Sequence, residues 1–161
     1  MAEKINLIVC GISPQGLNTM FKYGGMETFG VGKTFHMIPN TLFITDKRLI
    51  AVAVPVEGEG TMVQGLNISM WHNLLNRQGI EKEANLMAKS LTPEQILKSN
   101  KDNYSIDFEQ IVKIKVNLLF QRTITFETRD KNKFKFAIND KANLIKLKSI
   151  LKQYLPNISS G

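Results

Sequence analysis

Residues 41–55 read Thr-Leu-Phe-Ile-Thr-Asp-Lys-Arg-Leu-Ile-Ala-Val-Ala-Val-Pro, two β-rich runs on either side of a polar tripeptide. That is the local signature of a tight antiparallel hairpin. Asp46 suits the first position of a type I turn, where its carboxylate would accept backbone N–H groups from the residues that follow. Leu49 to Val54 is almost wholly apolar, so this strand is expected to be covered on both faces or to lie in a strongly curved sheet. Pro55 cannot donate to a ladder and should end it.

The same alternation returns beyond residue 104. Tyr104–Phe108, Ile111–Leu118, Thr123–Thr128 and Lys133–Ile138 read as strands of a half-buried antiparallel meander. The expected core face holds Val112, Ile114, Val116, Leu118, Ile124, Phe126, Phe134, Phe136 and Ile138. The outer face collects Lys113, Lys115, Lys133 and Lys135 against Glu127 alone, and a turn over Arg129–Lys133 would set Glu127 opposite Lys135. Asn139-Asp140 then caps a helix that runs to Leu155 and stops at Pro156. Its buried stripe is Leu144, Leu147, Ile150, Leu151, Tyr154 and Leu155, while Lys141, Lys148 and Lys152 share a solvated side.

The phrase Leu42-Phe-Ile-Thr-Asp-Lys-Arg-Leu-Ile50, followed by a meander and one C-terminal amphipathic helix, resembles the PH-like domains of bacteria and archaea, which are related to the GRAM domain. The resemblance covers residues 33–55 and 104–155. It implies an α+β fold: a PH-like barrel of two antiparallel sheets, a C-terminal capping helix and a helical insertion. The chain divides accordingly into one domain over residues 1–161, with an N-terminal extension at 1–26 and the insertion at 57–103. In the extension, Ile5–Cys10 reads as a strand. Ser13-Pro14 reads as a helix start, with the helix running to about Tyr23 and stopping at Gly24-Gly25. In the insertion, Met62, Val63, Leu66, Met70, Trp71, Leu74 and Leu75 recur at helical spacing, a second helix is expected over Ile80–Lys89, and a third begins at Thr92-Pro93-Glu94.

The 161 residues, 43% hydrophobic and 22% charged, are those of a globular domain able to bury a core. The longest uncharged stretches, 5–21 and 60–76, are broken by polar residues and glycine and are not membrane spans. Ile5–Cys10 is too short and too weakly basic for a secretory signal. A lone cysteine, Cys10, fits a reducing compartment, so a cytoplasmic protein is expected, with peripheral placement at the membrane as a second location. The net charge of +7 is uneven: residues 101–161 carry twelve Lys/Arg against six Asp/Glu, and residues 1–100 nine against eight.

Gly30-Val-Gly-Lys-Thr34 imitates a phosphate-binding loop. The first glycine of such a loop would fall on Glu27, whose charge repels phosphate, and Pro39-Asn40 stops any following helix. Nucleotide hydrolysis is rejected, in favour of a glycine bend leading into a strand over Lys33–Ile38. His36, His72 and Cys10 have no metal-ligand spacing. Glu57/Glu59 and Glu81/Glu83 sit in solvated contexts, and nothing resembles an activated nucleophile. The sequence therefore reads as a non-enzyme without cofactor or metal.

The PH-like resemblance implies a binding or assembly module acting through a protein partner or a second copy. The candidate contact residues are Met62, Leu66, Met70, Trp71 and Leu74. Eukaryotic PH domains hold inositol phosphates with basic residues between their first two strands, and here only Lys22 and Lys33 flank that bend. The alternative is association with anionic lipid or another polyanion through Lys113, Lys115, Lys133, Lys135, Lys148 and Lys152. Nucleic acid fits less well, because Phe126, Phe134 and Phe136 fall on the buried phase and cannot stack on bases.

Overall fold

The computed structural model describes residues 2–15, 39–54 and 77–158. The opening stretch forms the expected hairpin, β3 (Thr41–Thr45) and β4 (Arg48–Val52), paired from Thr41–Val52 to Ile44–Leu49. Its turn is held differently from the sequence reading. The Thr45 hydroxyl, not the Asp46 carboxylate, accepts the N–H groups of Lys47 and Arg48, each at 3.0 Å. Asp46 turns outward instead and accepts the Lys4 N–H at 3.1 Å, which ties the start of the chain to the turn.

The first strands, β1 (Ile5–Cys10) and β2 (Ile12–Gln15), join different sheets. One sheet has the order β1-β3-β4-β5, with β5 spanning Tyr104–Asp107. The other has the order β2-β8-β7-β6, from β6 (Ile111–Asn117), β7 (Thr123–Thr128) and β8 (Lys133–Ile138). The chain passes from β1 to β2 at Gly11, whose φ of +70° is the left-handed conformation glycine adopts without a Cβ penalty. It crosses back from β5 to β6 through a single 3₁₀ turn at Phe108–Gln110. The sheets meet at these corners and, among the described residues, remain two separate sheets in a mixed α+β fold. Ser13-Pro14 therefore starts no helix. Pro14 sits opposite Phe136 on the strand that is outermost in its sheet among the described residues, where a missing N–H costs no ladder bond.

Both faces of the first sheet are covered, as the apolar run in β4 requires. Leu42, Ile44, Leu49 and Ala51 face the second sheet and join Ile124, Phe126, Phe136 and Ile138 in the main core. Phe43, Ile50 and Val52 face the other way, onto α1 (Arg77–Ser90) and α2 (Pro93–Lys98). Ile80 and Ala84 of α1 and Ile96 of α2 are fully buried there. The start of α2 is fixed by a capping box: the Thr92 hydroxyl accepts the Gln95 N–H and the Gln95 side chain accepts the Thr92 N–H.

Asn40 locks the corner where the sheets meet. It is 6% exposed; its side chain donates to Val54 O and accepts Val54 N–H, both at 3.1 Å, while its backbone carbonyl accepts Ile12 N–H. The amide thus extends the β3–β4 ladder by one pair. Replacing it by alanine orphans two buried backbone groups, each costing about 1–3 kcal/mol. Asn40→Ala should lose about 3 kcal/mol in a urea titration with an unchanged slope; an unshifted midpoint would remove Asn40 from this role.

In the second sheet two sequence readings need correction. A bulge between Ile111 and Lys113 turns Val112 outward, 46% exposed, so that Ile111 and Ile114 carry the core positions. β6 ends at Asn117, which leaves Leu118 outside the core at 37% exposure. The β7–β8 turn is also tighter than read. Lys131 adopts a left-handed φ of 63°, and Asp130 accepts the Thr128 hydroxyl and the Asn132 amide. This three-residue loop pairs Glu127 with Lys133 and Thr125 with Lys135. The two-residue difference keeps every side chain on its expected face. The final helix, α3 (Lys141–Tyr154), is capped by Asp140, which accepts the Ala142 N–H at 2.8 Å. Leu144, Leu147 and Leu151 are buried in the main core.

Candidate functional site

The strand register builds a basic surface on the outer face of the second sheet. One row across it reads Lys115–Thr125–Lys135, and the next reads Lys113–Glu127–Lys133. Glu127 is thus shared by the second row, while the first row holds two lysines and no acid. With a rise of about 3.3 Å per residue, the rows lie about 7 Å apart along the strands. That is within a Debye length of ~8–10 Å, so an approaching anion feels them together.

Lys148 and Lys152 do not join this surface. They line a small groove with Ile114, Val116, Leu151 and Leu155, on the side of β6 opposite to Lys113 and Lys115. The six candidate lysines are therefore split between two sides of one sheet.

A neighbouring feature escaped the sequence reading. The β6–β7 connection carries Leu118, Leu119 and Phe120, and Leu119 is 87% and Phe120 96% exposed. Isolated exposed leucines are ordinary; adjacent large apolar residues at a projecting turn are not. The turn is built: Asn117 Oδ1 accepts the Leu119 N–H at 3.0 Å, and Arg122 Nη1 donates to Asn139 O at 2.6 Å. The available signal was an apolar triplet where a turn should hold Gly, Asn or Asp.

An open cleft of about 530 Å³ lies beside the β3–β4 turn, lined by Glu3, Asp46, Arg48, Asp107, Phe108 and Tyr154 among others. The Phe108 and Tyr154 rings stack at 5.6 Å. Two of its charges, Arg48 and Glu3, pair with each other. Arg48 donates Nε and Nη2 to the two Glu3 oxygens at 3.0 Å each, and Nη2 also reaches Glu94 Oε2 on α2 at 3.0 Å. The Arg48 hydrogen bond, followed by that of Lys98, holds the Glu94 carboxyl below the usual carboxylate range. The contribution is present at neutral pH and is lost as pH falls through that lowered value. Arg48 and Glu3 side chains are each 16% exposed, whereas Glu94 is 51% exposed, so the Glu3 pair dominates. Arg48→Ala should cost about 2–3 kcal/mol, mostly from leaving the Glu3 carboxylate with the Thr45 hydroxyl alone, and Glu94→Ala far less. Thermal melts of the two variants check the order.

Met62, Leu66, Met70, Trp71 and Leu74 lie outside the described residues, as do Lys22, the Gly30–Thr34 segment, the strand read at Lys33–Ile38, His36, Glu57, Glu59 and His72. Among the described residues no group of three or more His, Cys, Asp or Glu is placed to hold a metal ion, and no helix is long and apolar enough to cross a membrane. Compared with protein-family models, with curated proteins and with solved structures, the chain matches none.

Proposed function

We propose that this chain is a non-catalytic binding module of PH-like architecture that docks on anionic surfaces. The observation that carries the reading is the pair of lysine rows on the outer face of the second sheet, four cations against Glu127. Flat sheet faces hold such charges at fixed spacing without ordering a loop, which favours association with an extended anionic surface. The PH-like reading is supported by the order of elements: a first strand broken at Gly11 that serves both sheets, two antiparallel arrays, and a terminal helix packed into the core between them. Docking on anionic surfaces is put first because four lysines share one sheet face with a single acid.

The test is retention on immobilised heparin and on vesicles containing phosphatidylserine, each over a salt gradient. Retention that falls steeply with salt supports the reading. A protein that ignores both matrices at low salt would overturn it.

A further inference from the structure

We infer that the β6–β7 turn is a bilayer anchor: Leu119 and Phe120 enter the lipid interface while the cations around them engage the anionic headgroups. This rests on the proposed function and narrows its partner from anionic surfaces in general to a lipid bilayer.

Three observations converge. Leu119 and Phe120 stand at 87% and 96% exposure on a turn fixed by Asn117 and Arg122, so the apolar pair is presented without a folding step. The chain from Ile111 to Phe126 carries Lys113, Lys115 and Arg122 and no acidic residue. The other cations reach the same end of the sheet. β8 ends beside the start of β7, and the Arg122–Asn139 bond brings the start of α3, with its cap Asp140 and its first residue Lys141, to this end of the sheet. Lys115 and Lys135 lie one row inward, about 7 Å from the Asn117–Thr123 pair that closes the ladder. An apolar group that sinks about 5–10 Å into the headgroup boundary would set Arg122, Lys141 and this row level with the lipid phosphates.

The alternative occupant, a second protein surface, fits less well. Two side chains offer only a few hundred Å² at most, well short of the roughly 800 Å² per partner of a stable interface. The convex shape and the net positive rim, Arg122, Lys141, Lys115 and Lys135 against Asp140, match a deformable anionic layer better than a pocket.

The experiment uses the full chain and phosphatidylcholine vesicles with and without one-fifth phosphatidylserine, read by sedimentation at low and high salt. The variant Leu119→Ser/Phe120→Ser alters exposed positions only, so its thermal melt should match the wild type. Its partition onto anionic vesicles should drop by about a hundredfold. In a second variant, Phe120→Trp, brominated lipid should quench fluorescence beyond the wild-type level. Equal partition of the serine variant and the wild type would overturn the anchor, as would quenching of the Phe120→Trp variant no greater than that of the wild type. Light scattering without lipid adds a third arm: an oligomer that the serine variant dissolves would assign the turn to self-association and overturn the inference. Retention on heparin with no vesicle binding would defeat the anchor and leave the anionic-surface reading intact; binding to neither would defeat both.

Discussion

Phe136→Ala is expected to remove about 3–5 kcal/mol of stability, and Phe120→Ala almost none. Phe136 is fully buried in β8, at 6.2 Å from the Phe126 ring of its own sheet and 6.5 Å from the Tyr104 ring of the facing one. It therefore joins the two sheets across the main core. The cost combines the lost transfer of the ring, the cavity that the stiff sheets cannot close, and two aromatic contacts of about 0.5–1.5 kcal/mol each. For a domain whose total stability is about 5–15 kcal/mol, that is roughly a fifth or more of it, a fall in melting temperature of roughly 10–15 °C. Phe120 is 96% exposed and supports nothing. A Phe136→Ala protein that melts with the wild type would mean that the aromatic cluster is not the joint between the sheets.

Side-chain period makes most of the architecture legible in the sequence. Thr123–Thr128 and Lys133–Ile138 alternate cleanly, and their strand bounds agree between sequence and structure. The apolar run in β4 implied two covered faces, and the core between the sheets and the pair α1/α2 supply them. The misreadings share a physical origin: each depends on a partner distant in sequence or on a competition between neighbours. Ser13-Pro14 satisfies local rules for a helix start, yet its place on an outer strand is decided by pairing with β8. The turn preference of Asp46 was outcompeted by the Thr45 hydroxyl, which sits one residue earlier and reaches both following N–H groups. A bulge at Val112 cannot be read from alternation, because Val and Ile continue the pattern through it.

The candidate site was half legible for the same reason. The lysine rows follow from period two, and the structure brings Lys113, Lys115, Lys133 and Lys135 together as read. Lys148 and Lys152 sit on a helix whose packing on the opposite side of β6 is a tertiary fact. Leu118 to Phe120 extend an apolar pattern and so hide the end of the strand. Only the last ladder pair, Asn117–Thr123, shows that they lie beyond it.

The lysine rows and the apolar turn together predict an asymmetric response to charge reversal. Lys115→Glu/Lys135→Glu should weaken association with phosphatidylserine vesicles by about a thousandfold. A lysine near an anionic leaflet contributes about 1 kcal/mol, so reversing two removes about 4 kcal/mol, and each 1.4 kcal/mol is a factor of ten. Lys113→Glu/Lys133→Glu should weaken it far less, for two reasons. That row already shares Glu127, which offsets part of its charge. With the turn in the interface it also stands about 7 Å farther from the phosphates, which against a Debye length of ~8–10 Å roughly halves each interaction. Neither pair belongs to the core, so melts should stay within about 0.5 kcal/mol of the wild type. Vesicle sedimentation at fixed salt decides the order. Equal losses from the two rows would mean that the sheet lies flat on the surface, with the turn outside the lipid; no loss from either would place the anionic contact elsewhere on the molecule.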